Sequence, residues 1–463
     1  MNLPNYFFAD LPQEATLSAA MISEACQTLR RNRETYLAGR PTGSLVKVLD
    51  DVARSWLTKD YPFRKRALEQ GPAATGFSSV TLARGLDAFF TQVTRENLHA
   101  LVEQDLGHPR RLDEITATES ERKVGRAAVA TAPELLAHFT AGNLPNPALS
   151  SIVLGVLLRS AQFVKCASGA SLLPRLFAHS LYDAEPKLGA CLEVAEWRGG
   201  NHEIEKILID EADCVTAIGS DETLASIRQR VPARTRFVSY GHRVSFAFVA
   251  AKCRAGVVHA PLSRLPVPGI VSLAAADVTA WNQQGCLSPH VIYVQTGGAL
   301  SPEHFAEELA GELARIEQSE PRGPLPATEA AAIASRRSIY QVRAAHSPET
   351  QLWCSQDTTA WTVVFEADPR FQISCLNRFI YVKPVKDLAD ALRNADPVCG
   401  KVSTVGLAAE EEERQQLATE LARWGVIRVC PIGQMQNPPL TWRHDGRLAL
   451  GELVTWTDYE NET

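Results

Sequence analysis

The sequence predicts an α/β protein: two strand–helix regions behind a mostly helical amino-terminal segment. Three observations carry this expectation. Apolar residues recur at three- and four-residue spacing through Leu17–Arg31 and Leu45–Trp56, as on amphipathic helices. From about residue 135, short apolar strands alternate with helices. A second alternation of the same kind runs from about 255 to 430. A chain of 463 residues has room for two or three cores. The expected division is 1–115, 116–254, 255–430 and a strand-bearing tail at 431–463.

Composition narrows the function. Hydrophobic residues make up 45% and charged residues 22%, the balance of a soluble globular protein. A net charge of -6 argues against a nucleic-acid partner. No apolar run approaches the roughly 20 residues of a membrane span. The amino terminus carries acidic residues where a secretory signal would carry basic ones, so a cytoplasmic location is expected. The ten cysteines are scattered without a CxxC pair, and the eleven histidines form no HExxH. Neither a metal site nor a disulfide framework is expected.

In the first alternation the strands are expected at Leu135–Phe139, Gln162–Lys165, Cys191–Glu196, Cys214–Ile218, Arg236–Ser239 and Ser245–Ala250. Helices between them imply a parallel sheet, whose ligands bind beyond the carboxyl ends of its strands. Those ends carry Thr140-Ala-Gly-Asn-Leu-Pro-Asn-Pro147, Lys165-Cys-Ala-Ser-Gly169, Trp197-Arg-Gly-Gly-Asn201 and Gly219-Ser-Asp-Glu-Thr223. Gly219 and Ser220 open a helix, a seat for phosphate or simply a helix cap. Lys165 adds a cation at a neighbouring strand end.

The second alternation contains Asp277–His290, DVTAWNQQGCLSPH. A helix is expected from Val271 to Gln284, broken at Gly285, with Pro289 preventing its resumption. Cys286 at such a break is open to substrate and close to uncommitted backbone N–H groups, which suits a nucleophile. The alternative is a cysteine that fills the core. Glu320–Ala327, with three prolines, is expected as a surface connection. Arg447–Thr457 is expected as a strand able to pair with another subunit.

A nucleotide-type sheet followed by a cysteine-bearing domain resembles the aldehyde dehydrogenase superfamily. Within it, AGNLPNPALSSIVLGVLLRSAQFVK, AIGSDETLASIRQRVP, RFVSYGHRVSFAFV and WNQQGCLSPH resemble the LuxC-type acyl-CoA reductases. The resemblance implies a Rossmann-type NADP-binding domain and an α/β catalytic domain. It implies Cys286 as nucleophile and Asn143 as the oxyanion amide. It also implies Lys165 at the adenosine ribose, Ser168 where NAD-preferring relatives carry glutamate, and Gly219, Ser220 and Gly241 at the cofactor. The small Ser168 favours NADPH.

Two departures from the superfamily pattern stand out. The water-activating glutamate of hydrolytic relatives is replaced by Ser239-Tyr-Gly-His-Arg243, in which His242 is a candidate proton donor. The glutamate–phenylalanine motif that holds the nicotinamide ribose is replaced by Ser374-Cys-Leu-Asn-Arg378. The expected activity is therefore reduction of an acyl thioester to the aldehyde. The substrate is acyl-CoA or an acyl group on a carrier or partner protein. The resemblance also implies an acyl-protein synthetase or an acyltransferase as partner, and a homo-oligomer as assembly. The competing readings are an aldehyde dehydrogenase working oxidatively or toward acyl-CoA, and a non-catalytic binding subunit.

Overall fold

The computed structural model describes residues 3–12, 14–252 and 269–460. Cys253 and the boundary expected at 254/255 lie outside the described residues. The chain divides into two compact units. The first comprises Met1–Thr75, Ala83–Gly241 and Pro439–Thr463; the second, Gly76–Leu82 and His242–Pro438.

The first unit begins with helices Ala19–Tyr36, Thr42–Leu57 and Pro62–Thr75. Strands follow at β1 (Arg126–Thr131), β2 (Leu135–Phe139), β3 (Ala161–Cys166), β4 (Leu192–Glu196), β5 (Cys214–Ile218) and β6 (Arg236–Tyr240). β2 to β6 form a parallel sheet in the order β4-β3-β2-β5-β6. Alternation along β2 sends Leu135, Ala137 and Phe139 to one face. There they pack with Ile22, Cys26 and Leu29 of the first helix and Ile204 and Leu208 of His202–Glu211. Leu136 and His138 take the opposite face. His138 is buried between Thr216 Oγ1 (2.7 Å) and Gln162 Oε1 (3.1 Å), and burial pushes its imidazole down to about 4.

The second unit holds β7 (Val244–Val249), β8 (Pro289–Gln295), β9 (Thr350–Cys354), β10 (Thr362–Glu366), β11 (Phe379–Val385), β12 (Val402–Ala408) and β13 (Arg428–Pro431). Their order is β13-β12-β7-β8-β11-β10-β9, parallel except for β9. Both sheet faces are covered, one by Ile333 and Tyr340 of Ala327–His346, the other by Ala274, Val278, Phe305 and Leu309. Full burial on both sides accounts for the apolar character of Val244–Val249, in which Ser245 is the one polar residue.

Three expectations need correction. The strand at Ser245–Ala250 does not complete the first sheet: β7 pairs with β8 and β12 in the second. An apolar strand buried on both faces reads alike in either sheet. The connection at 320–327 is not wholly superficial, because Glu320 and Arg322 are buried. Glu320 O accepts from Arg378 Nη1 (3.0 Å), and Arg322 Nη1 donates to Thr359 O (2.7 Å). In the tail, Arg447–Leu453 forms turns that bury Leu450 and Leu453. The strand, β14, is instead Thr455–Glu460, antiparallel to β1. Among the described residues no helix is long and apolar enough to cross a membrane.

His138 gives the first unit a testable pH signature. Its folded pKa lies below the ordinary value, so the unfolded chain binds the proton first as pH falls. Stability from this group is therefore present above 6.5 and is lost toward pH 4. Urea unfolding at pH 7 and pH 4 should show wild type losing about 3 kcal/mol relative to His138→Asn. Parallel pH profiles for the two proteins would contradict this account.

Candidate functional site

The helix Ile270–Thr279 leads into the cysteine loop and presses Val271, Ala274 and Val278 into the core. Its only buried carboxylate, Asp277, anchors the end. Asp277 accepts from Gly433 N (2.5 Å) and Met435 N (2.9 Å). Burial pushes its carboxyl up to about 7, against the pull of both amides and Arg428.

The helix expected through Gln284 stops at Thr279. Trp281, Asn282 and Gln283 then turn left-handed, with φ of 50°, 49° and 65°. Left-handed backbone costs an L-residue about 1–2 kcal/mol, so tertiary contacts must hold it. Asn282 Nδ2 donates to Arg322 O (2.8 Å), and Asn282 Oδ1 accepts from Arg378 Nε (3.1 Å). Gln283, 0% exposed, accepts from Phe379 N (2.8 Å) at Oε1. Its Nε2 donates to Pro289 O (2.7 Å), Phe379 O (2.9 Å) and Ser374 Oγ (3.2 Å). These bonds override the local helical preference, which is why periodicity misplaced the break.

Cys286 lies half-buried in the turn that follows. Ser288 N donates to Gly285 O (2.9 Å), and β8 begins at Pro289. The Cys286 carbonyl accepts from Ser245 Oγ (2.7 Å), and that same oxygen of Ser245 accepts from Thr404 N (3.1 Å). The cysteine backbone is thus tied to the centre of the sheet.

A second left-handed run, Leu376, Asn377 and Arg378 (φ 58°, 56° and 65°), lies against the first. Gln284 Nε2 donates to Asn377 Oδ1 (2.6 Å), and Asn377 Nδ2 to Glu329 Oε2 (2.8 Å). Arg378, 0% exposed, donates to Glu317 Oε2 (2.7 Å). The polar groups of residues 374–378 thus bind the cysteine loop. His290, buried on β8, is pushed down to about 4 by burial and by nearby His242. His242 itself is exposed just ahead of β7.

In the first unit, parallel pairing brings the other expected residues to one sheet edge. Asn143 follows β2 and is exposed; Lys165 is near the end of β3; Ser168 is exposed in the next turn. Gly219 and Ser220 follow β5, and Gly241 follows β6. The order reverses between β2 and β5, so the edge contains a topological switch point.

Lys165 is buried, which lowers its pKa, with Nζ 5.7 Å from the Trp197 ring centre. No hydrogen bond to its ammonium is present among the described residues. The Ser168 turn is fastened by Glu196, which accepts from Gly169 N (2.7 Å) and Ser171 N (3.3 Å). Ser220 Oγ accepts from Thr223 N (3.3 Å) and so caps Asp221–Arg230. A Cβ on Gly241 would stand 2.8 Å from Asp221 Oδ1, the tip of an exposed side chain at that helix start. A cation and a helix N-terminus along one switch-point edge form a donor set that fits a dinucleotide.

The family model for acyl-CoA reductase (LuxC) matches residues 37–456. The chain belongs to the LuxC acyl-CoA reductase family. It is similar to the long-chain acyl-protein thioester reductase of Aliivibrio fischeri, at 23% identity over 90% of this chain and 82% of that one. Long-chain acyl-protein thioester reductase 2 of Photobacterium leiognathi is 24% identical over 94% and 85%. Among solved structures, the putative aldehyde dehydrogenase PutA of Anabaena variabilis aligns with a TM-score of 0.69. That alignment has 15% identity and covers 97% of this chain and 95% of the other. An NAD-dependent benzaldehyde dehydrogenase from Corynebacterium glutamicum gives 0.68 at 13% identity, covering 96% and 91%. The fold is that of the aldehyde dehydrogenases, and LuxC membership makes the chain an oxidoreductase.

In this LuxC chain the sequence pattern did not reveal Asp277, Gln283, His290, Ser374 and Glu196. Asp277 and His290 stood inside the motif already singled out, yet nothing local marked them as anchors. Their partners are 84 to 158 residues away.

Asp277→Asn should lower stability by about 1–3 kcal/mol, since one acceptor oxygen becomes an NH2 facing a backbone N–H. The folded carboxyl is pushed above its ordinary value and holds its proton longer than the unfolded chain does. Wild-type advantage should therefore shrink as pH rises from about 4 to about 7. Thermal unfolding of both proteins across that range checks it; an advantage that grows with pH would contradict it.

Proposed function

We propose that this chain reduces a long-chain acyl thioester to the aldehyde through a covalent thioester on Cys286, using NADPH. The observation that carries the reading is the cysteine turn itself. In a LuxC chain it holds a half-buried thiol on backbone fixed from both sides. The relatives named above are, by name, reductases of long-chain acyl-protein thioesters, which supports an acyl group on a partner protein as substrate. Acyl-CoA is the other carrier in keeping with the family name.

In this mechanism the Cys286 thiolate attacks the thioester carbonyl. Asn143 takes its oxyanion role from resemblance to the superfamily, with the Cys286 backbone N–H as second donor. The new C–S bond forms, the old one breaks, and the carrier leaves as its thiol. Lys165, the Ser168 turn, the helix opened by Gly219 and Ser220, and Gly241 would hold the cofactor. Bound there, a reduced nicotinamide supplies the hydride that takes the acyl group to the aldehyde level. Proton donation to the resulting oxyanion is assigned to water or to exposed His242. Collapse then moves that proton from oxygen to sulfur, breaks the C–S bond, and releases the aldehyde and the Cys286 thiol. The Ser239–Arg243 segment offers no carboxylate to activate water, so the acyl-enzyme should wait for reduction.

Ser168 supports NADPH, because it leaves no charge of its own at the ribose turn. The acyl donor, by class, comes from an acyl-activating or acyl-transferring enzyme. A second copy is the proposed partner of β14, whose six residues are all exposed, with Trp456 42% and Tyr459 48% accessible. A cytoplasmic setting suits the nine described cysteines, none of which is joined in a disulfide.

Labelled acyl-CoA mixed with the protein without cofactor should leave label on wild type and none on Cys286→Ala. Equal retention by both would overturn the role of Cys286. Ser168→Glu should reduce the kcat/KM ratio of NADPH to NADH by about tenfold or more, the effect of ~1.4 kcal/mol of charge repulsion. An unchanged ratio would remove Ser168 from the cofactor argument.

A further inference from the structure

We propose that Ser374, Gln283 and His290 form a positioning brace that sets the direction of Cys286 from both sides. The proposal builds on the reading of Cys286 as nucleophile. Gln283 stands three residues before the cysteine and His290 four residues after it. Both side chains end on Ser374. Ser374 Oγ accepts from Gln283 Nε2 (3.2 Å) and from Leu376 N (3.2 Å). Its own hydrogen is then directed to His290 Nδ1, 3.0 Å away. The Ser374 backbone N–H donates to the same Nδ1 at 3.1 Å.

These contacts fix the histidine tautomer. A backbone N–H can only donate, so Nδ1 is an acceptor and the ring proton sits on Nε2. Burial keeps this imidazole neutral down to about 4, so the brace does not titrate at working pH. Gln283 is equally committed, with Phe379 N on its oxygen and Pro289 O, Phe379 O and Ser374 Oγ on its nitrogen.

The brace matters because the backbone it holds is not locally favoured. Three left-handed residues in succession revert toward right-handed backbone once their anchors go. The turn carrying Cys286 starts immediately after them. A displacement of about 1 Å at a reacting group can cost ~100-fold in rate. The segment that lacks the superfamily's glutamate–phenylalanine pair thereby acquires a different role, that of orienting the nucleophile.

The brace is tested in the whole chain carrying His290→Leu, His290→Asn, Gln283→Leu or Ser374→Ala. Asn restores an acceptor where Nδ1 stood; Leu does not. Three readouts are taken on folded protein: single-turnover acyl transfer from labelled acyl-CoA, alkylation of Cys286 by iodoacetamide followed on its peptide, and NADPH affinity. The brace predicts acyl transfer ~10- to 100-fold slower in both Leu variants, with unchanged NADPH affinity and near-complete recovery in His290→Asn. Ser374→Ala, the mildest change, keeps the backbone N–H bond and should fall between. Wild-type transfer rates in the Leu and Ala variants would overturn the proposal. So would His290→Asn as slow as His290→Leu. If wild type takes up no acyl label, the nucleophile reading fails, and alkylation of Cys286 across the same variants still decides the brace.

Discussion

Three left-handed residues in a row, Trp281 to Gln283, must be held by partners outside the run, and most of these are reached through the Gln283 side chain. Its buried amide satisfies two groups of Phe379, one of Pro289 and one of Ser374. Asn282, beside it, joins the buried Arg378 and the carbonyl of Arg322. Arg378 in turn reaches Glu317 and Glu320 O. A strained turn, a second strained turn and the 317–322 connection thus depend on one another. Removing any one leaves buried donors or acceptors without partners, each costing about 1–3 kcal/mol. The turn carrying Cys286 follows directly on this arrangement, and Ser245 ties its carbonyl to the sheet.

The first unit solves a different problem, how to keep charge available along a sheet edge. Lys165 is buried enough for its pKa to fall, yet its ammonium is left to Trp197's ring and the field of Glu205 and Glu196. Glu196 commits its carboxylate to the backbone of the Ser168 turn, giving shape to a loop whose side chain is small. Ser220 uses its hydroxyl for capping. Glu196 and Ser220 thus each spend a polar side chain on fixing backbone.

Much of this was legible in the sequence. Strand–helix alternation located β2 to β6 and most strands of the second sheet, because burial imposes period and length on short apolar runs. The motif around Cys286 was visible as a helix followed by a break, although the helix ends at Thr279 and not at Gly285. What could not be read was set by distant partners. Nothing within Asp277–His290 says that Asp277 will meet Gly433 and Met435, or that Gln283 will reach Phe379. The same reason explains the misassigned β7, whose six buried residues suit either sheet, and the tail, where Leu450 and Leu453 turn inward before β14 begins.

The central claim is that Cys286 holds an acyl group for reduction and not for hydrolysis. It is tested most directly by isolating the acyl-enzyme, formed from labelled acyl-CoA, and following the label after adding NADPH or buffer alone. The account predicts label in the aldehyde with NADPH and label retained on the protein without it. Release of the label as free fatty acid in buffer, faster than reduction, would contradict it.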